Sequence, residues 1–444
     1  MGGMSTTYRP YHPDQPFLLP ADPREWLPED HLAYFIADTV DTLDLRAFYA
    51  PYKGDGRRKQ PYEPVMMIKV LLYAYSTGVF SSRLIAGKLQ EDVAFRVLSA
   101  GNFPAHRTIC EFRRRHLADF EKVFVQVVRI ADEVGLVKLG IVAIDGTKIK
   151  ADASKHKAMS YGRMCEAEKQ LKHEIRLLTR RAQEEDARED GLYGPDNAGV
   201  DVPAELRRRE SRLATIKAAK ERLEARQREE DRANGRSEDD DQKPSGSPGR
   251  PFKRKFGEPA EKAQDNFTDP ESRIMKTSSG FDQCYNGQIA VDAEARLIVA
   301  TGLTQCAADN GQLQPMLECV RRNLKRNPRH ALVDAGYNSE ANVRSLHRRG
   351  IDGYVAQGRG EGDPDRAPTS KWLQGMARKL KTKRGATMYR KRKHIAEPPF
   401  GWIKSVLGFR QFSVRGVAKV TGEWSLVCLA VNLRRLNGLM AWGT

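Results

Sequence analysis

Three shortages bound what this chain is. Nowhere in its 444 residues is there a run of about 18 apolar side chains, the length a membrane-spanning helix needs, so no membrane partner is expected. Cysteine is sparse: six residues, at 110, 165, 284, 306, 319 and 428, show no Cys-x-x-Cys and no paired spacing. That argues against a disulfide frame or a zinc site and fits the reduced, partly buried thiols of an intracellular protein. The opening stretch, MGGMSTTYRPYHPDQPFLLP, lacks the long apolar core of a secretory signal, so a cytoplasmic location is expected. Its first residues fit an N-myristoylation pattern only superficially. The third shortage is of negative charge: 58 Asp and Glu against 75 Lys and Arg leave a net +17. The excess points to a polyanionic partner, nucleic acid ahead of a membrane surface.

What is present falls into blocks, with length enough for two or three domains and a sizeable core. Residues 1–135 read as a helical N-terminal domain. After a Pro-rich arm, Leu32, Phe35, Ile36 and Val40 fall on one helical face. A basic loop, Lys53–Lys59, precedes a strongly apolar helix opened by Pro64 and carrying Met66, Ile68, Leu71, Leu72 and Tyr75, with Gly78 as its C-cap. Ser81 and Ser82 cap a helix with Leu84, Ile85 and Leu89, and Thr108 introduces a long one. That helix sets Ile109, Phe112, Leu117, Phe120 and Val123 against Arg113, Arg114, Arg115 and His116 on its opposite face. Short helices, a tight loop and a basic helix suggest a helix-turn-helix-like DNA reader in which the three arginines contact DNA. A plain helical bundle with solvated arginines is the alternative.

Residues 164–264 interrupt the pattern. Two segments rich in Ala, Glu, Lys, Arg and Leu each carry one narrow apolar stripe, Leu171, Ile175 and Leu178 in the first and Leu206, Leu213, Ile216 and Leu223 in the second. With a Gly-Pro-Asp-Asn break between them they predict an antiparallel helical hairpin resembling a coiled coil. So narrow a stripe leads us to expect a partner contact, with a second protomer, hence a homodimer, as the candidate. Residues 233–264 read as a mobile linker.

On either side, residues 136–163 and 265–444 alternate short apolar runs with amphipathic helices. The run Ile141-Val142-Ala143-Ile144 ends in Asp145-Gly146 and reads as a short buried strand with Asp145 at its carboxyl end. Taken alone, Asp-Gly is first of all a turn-forming pair. Two later stretches change that reading. Strands at 283–291 and 296–303 and a helix at 311–324 lead to a second run, His330-Ala-Leu-Val333, which again ends in Asp, here Asp334. A helix, a strand at 353–356 and a polar, basic, irregular stretch at 357–385 follow. Next comes a basic helix at 389–407 with Glu397, and then an apolar helix around 424–436. Two strand-end aspartates on neighbouring strands face one crevice, and a glutamate from a helix on that sheet can complete the cluster. Three such carboxylates repel one another, and a divalent cation relieves the repulsion. Two ions about 3.5–4 Å apart would serve a phosphoryl displacement, and hard oxygen donors favour Mg²⁺ or Mn²⁺ over zinc.

At these residues the chain resembles the DDE transposases of bacterial insertion sequences, specifically the IS1182 group of the IS4/IS5-like families. The resemblance lies in DGTKIKADASK, in NFTDPESRIMKTSSGFDQCYNGQIAVD, in VDAGYNSEANV and in RKHIAEPPFGWIKSVLGFRQFSVRG, with residues 15–134 resembling the domain that precedes the core. It implies an α/β fold: a ribonuclease H-like catalytic core with a mixed sheet, preceded by an all-helical domain and interrupted by the hairpin insertion. It implies Asp145, Asp334 and Glu397 as catalytic metal ligands, and DNA, as element ends and target, for a partner in the bacterial nucleoid. The family's Y-R-E-K pattern maps imperfectly. Glu397 and Lys404 keep the expected spacing, Lys393 stands where Arg is expected, and Tyr389 lies one place too far upstream. Whether Arg392 or Lys393 takes the phosphate-binding role stays open, and either residue could instead be plain surface charge. Pro398 and Pro399 imply a kink after Glu397 or a fresh helix start. The implied activity is metal-dependent cleavage at element ends and strand transfer. The rivals are a ribonuclease H-like nuclease or resolvase without strand transfer, and an inactive transposase acting as a DNA-binding regulator.

Overall fold

In the computed structural model, residues 22–52, 60–193, 204–242, 254–278, 280–358 and 370–441 are described. The Pro-rich arm, the basic loop at 53–59 and the Gly-Pro-Asp-Asn break lie outside them. The chain divides into two units, Met1–Asp119 with Leu429–Thr444, and Phe120–Cys428.

The first unit is helical. Helix α1 (Leu32–Asp41) buries Ala33, Ile36 and Val40, one helical stripe, and a single turn, α2 (Arg46–Tyr49), follows. Pro64 opens α3 (Pro64–Ser76) at the position where a missing N–H costs nothing. Nearly every side chain of α3 is buried, which makes it the centre of the unit. Helix α4 (Ser82–Glu91) starts after Ser81. Helix α5 (Val93–Ser99) is capped by the Asp92 carboxylate, which accepts from the Ala94 and Phe95 amides. Helix α6 (His106–Glu133) carries the chain into the second unit.

The second unit is built on a mixed sheet. Its strands are β1 (Ile141–Lys150), β4 (Arg273–Thr277), β5 (Gly280–Asp292), β6 (Ile298–Thr304), β7 (His330–Val333) and β8 (Asp352–Val355). A separate pair, β2 (Ala158–Ser160) and β3 (Gln264–Asn266), flanks helices α7 (Tyr161–Tyr193) and α8 (Ala204–Ala233). The order is β4-β5-β1-β7-β8, with β6 also paired to β5. β1 runs antiparallel to β5 and parallel to β7, and β7 is parallel to β8. Helix α9 (Leu313–Leu324) joins β6 to β7 and α10 (Glu340–Arg348) joins β7 to β8; α11 (Lys371–Lys381), α12 (Lys383–Gly401) and α13 (Val417–Ala441) complete the chain. Trp424 of α13 is fully buried and stacks against Gly287 of β5, where a Cβ would stand 2.8 Å from the indole.

Four expectations change. β1 does not stop at Asp145: it continues through Gly146 to Lys150, because β5 pairs with it over its whole length. Asp145-Gly146 is therefore strand, not turn. The stretch at 357–385 is not irregular throughout. Ser370 caps α11, whose Met376 is buried and whose Trp372 meets the His347 ring edge-on at 5.1 Å, so one apolar face offsets the polar composition. The supposed linker is fixed at its far end. Asp231 accepts from the Gly257 amide, Tyr161 and Gly162 donate to the Ala263 and Glu261 carbonyls, and β3 pairs with β2; residues 243–253 lie outside the described ones. Finally, α12 runs through Pro398 and Pro399 to Gly401 and loosens only afterwards, into one π-helical turn at Trp402–Val406.

The two long helices lie antiparallel. Contacts Tyr161–Glu224, Glu168–Lys220 and Glu174–Arg209 descend along α8 as they climb α7. Met164, Leu171, Ile216, Ala219 and Leu223 form their buried seam. In sequence the pair sits between β1 and β5. All six cysteines are unpaired.

Candidate active site

The register explains how two distant aspartates meet. β1 and β7 pair in parallel from Ile141↔His330 to Ile144↔Val333. The next residues are Asp145 on β1 and Asp334, where β7 ends and the chain turns. Both carboxylates thus stand at the end of one parallel ladder. Asp334 accepts from the Gly336 amide at 2.9 Å and so shapes its own turn.

Asp145 is mostly buried. Burial pushes its carboxyl above the usual range and the Asp334 charge adds to this, while the Arg392 guanidinium opposes both. Arg392, on the inward side of α12, donates to Asp145 Oδ2 at 2.8 Å. Ile395, Ala396 and Pro399 share that buried side. Lys404, within the π turn, donates to the Lys148 carbonyl at 3.0 Å, further along β1 from Asp145. Burial, with Arg410 and Lys148 close by, holds its ammonium below the ordinary lysine value. A lysine desolvated among other cations is one that an anion would stabilise.

The remaining expected residues separate. Glu397 is exposed on α12, as is Lys393, while Tyr389 is half-buried close to Arg392. Among the described residues no three His, Cys, Asp or Glu side chains stand together closely enough to hold a metal ion. The structure therefore brings Asp145, Asp334 and Arg392 together and leaves Glu397 outside. In the helical unit Arg113 is buried, its guanidinium spent on the Tyr75 hydroxyl and the Phe80 carbonyl. It holds the unit together and does not face a ligand. Arg114 and Arg115 are exposed and share Glu111.

One carboxylate was missed. Asp309, in the loop after β6, accepts from Asn286 Nδ2 and Gln288 Nε2, both at 2.7 Å, and from Lys148 Nζ at 3.4 Å. A signal existed: Asn286 and Gln288 alternate on one face of a strand otherwise buried, and buried amides require partners.

Two family models match this chain. Residues 21–115 match the one described as a transposase domain (DUF772), and residues 259–433 match the transposase DDE domain. The chain belongs to the DDE transposases of insertion sequences. No curated protein and no solved structure matches it. The DDE match takes in Asp334 and Glu397 and begins after helix α8, so the transposase's Asp145 lies upstream of it, joined to the rest by the β1–β5 and β1–β7 pairing.

Proposed function

We propose that this transposase cuts DNA at the ends of its element in a metal-dependent reaction and joins the freed 3′-hydroxyl to target DNA. The observation that carries this reading is the meeting of Asp145 and Asp334 at the end of the β1–β7 ladder, with Arg392 donating to Asp145 and Lys404 held further along β1 at the Lys148 carbonyl. The strand order β6-β5-β1-β7-β8, with β5 alone running against the other strands, supports a ribonuclease H-like core.

The donor set fits Mg²⁺ or Mn²⁺. Its oxygens are hard, and a carboxylate pair whose mutual charge already raises the Asp145 carboxyl gains from a further cation beside the Arg392 guanidinium. Asp145 and Asp334 would hold it, with Glu397 as the third ligand. Such ions supply charge neutralisation at the attacking and leaving oxygens of an in-line displacement. The chain's own residues orient the DNA. Lys404, desolvated among cations, takes a phosphate, and the exposed Lys393 takes a neighbouring one. Arg392 stands in as counter-ion to Asp145 and is released to phosphate when the site fills. For Glu397 to enter, α12 has to rotate, and the π turn after Gly401 is where its register can change.

The test supplies a pre-cut element end with a free 3′-hydroxyl and a supercoiled target plasmid, with Mg²⁺ and without. Joined product that requires Mg²⁺ is expected. End cleavage with no joining of the pre-cut end would make the protein a nuclease and overturn the reading.

A further inference from the structure

Asp309 lies behind the site. In β1 the side chains alternate, so Asp145 faces α12 while Gly146 and Lys148 face the other side of the sheet, paired with Gln288 and Asn286 of β5. Asp309 belongs to that second side. Its carboxylate accepts from Lys148, Asn286 and Gln288, and it rests against the β1 backbone itself. A Cβ on Gly146 would stand 2.7 Å from Asp309 Oδ1 and 2.2 Å from Gln288 Nε2. The approach therefore exists only because the residue after Asp145 is glycine.

The same carboxylate reaches the turn that carries Asp334. A Cβ on Gly336 would meet Asp334 Oδ1 at 3.0 Å and Asp309 Oδ2 at 3.4 Å. Gln288, which donates to Asp309 through its nitrogen, accepts from the Tyr337 hydroxyl through its oxygen. Burial and the charges of Asp309, Asp145 and Asp334 push the Tyr337 phenol far up, so it stays a donor. Asn342 closes the circle by donating to the carbonyls of Asn310, next to Asp309, and of Tyr337.

We propose that Asp309 is a positioning residue of the transposase site: from the rear face of the sheet it fixes the Asp334 turn against the Asp145 strand. It does so through Gln288 and Tyr337 on one side and through Lys148 and the Gly146 backbone on the other. It is not a ligand, because β1 separates its face from that of Asp145. The proposal rests on the reading that Asp145 and Asp334 bind the divalent cation. Groups that orient metal ligands from behind typically contribute about 10- to 100-fold in affinity.

The experiment measures Mn²⁺ bound by the full chain, without DNA, by electron paramagnetic resonance titration. It compares the wild type with Asp309→Asn, Tyr337→Phe, their double variant and Asp334→Asn. Asp309→Asn keeps the size and an acceptor but loses the charge. It is expected to weaken Mn²⁺ about 10-fold or more with the number of bound ions unchanged. Tyr337→Phe is expected to weaken it in the same direction, and the double variant by less than the product, since the two act along one chain of contacts. An unchanged affinity in Asp309→Asn, or in Tyr337→Phe should Asp309→Asn not fold, overturns the proposal. Loss of a bound ion in Asp309→Asn overturns it too, by making Asp309 a ligand. Asp334→Asn separates the two levels. If it leaves Mn²⁺ binding intact, the metal reading itself falls and the positioning role with it. If it abolishes binding while Asp309→Asn changes nothing, only the positioning role falls.

Discussion

Gly146 shows how much of this site is decided by one missing atom. It follows Asp145 inside a strand, where glycine ordinarily weakens pairing. Here a Cβ would collide with the Gln288 amide at 2.2 Å and with the Asp309 carboxylate at 2.7 Å, so the strand accepts glycine to let polar groups press on its backbone. Gly146→Ala must displace that packed amide, and overpacking of this kind costs about 1–3 kcal/mol. A lowered thermal midpoint is expected, together with loss of joining activity at temperatures where the variant is still folded. Gly140→Ala, where nothing lies within 4 Å of the added methyl, is the control and is expected to melt with the wild type. Equal melting of the two variants would mean that Asp309 does not press on β1.

At the scale of elements, the hairpin of α7 and α8 is held by a thin apolar seam and by ion pairs, of which Glu168 is the most enclosed. It meets Lys172 at 2.6 Å on its own helix and Lys220 at 3.1 Å across the hairpin. The bond to Lys172, and Lys220 after it, holds its carboxyl below the usual glutamate range despite partial burial. A depressed carboxyl contributes stability that is present above its unfolded value, about 4.3, and lost as pH falls through the lower folded value. Glu168→Gln is therefore expected to cost about 0.5–1 kcal/mol at neutral pH, seen as faster hydrogen exchange in α7 and α8. The difference should vanish in acid, once Glu168 is protonated in the wild type as well. A difference that persists there would assign the effect to packing. The hairpin was also among the most legible parts of the sequence, since Leu171, Ile216 and Leu223 recur at helical spacing and do form the seam. The strands were legible as apolar runs, but their lengths were not. β1 continues for six residues beyond Ile144 because β5 pairs with it, and no local pattern in Asp-Gly-Thr-Lys announces a distant partner. Arg113 was misjudged for a similar reason: its helix face looked basic, yet the Tyr75 hydroxyl and Phe80 carbonyl await it inside.

For the whole molecule, the sequence carried the two aspartates because each follows an apolar run directly, and the parallel register then sets them side by side. It could not carry Asp309, whose loop has no periodicity, nor the outward placement of Glu397 on α12. The net charge of +17 suits a protein that grips DNA at many phosphates. Binding should therefore survive the loss of one carboxylate, while chemistry should not. The most direct measurement compares binding of element-end DNA with Mg²⁺-dependent strand transfer in Asp145→Asn, Asp334→Asn and Glu397→Gln. Each variant is expected to bind the end nearly as the wild type does and to lose joining by several orders of magnitude. Joining retained in Asp145→Asn or Asp334→Asn would contradict the account at its centre, and joining retained in Glu397→Gln alone would leave the metal site to the two aspartates.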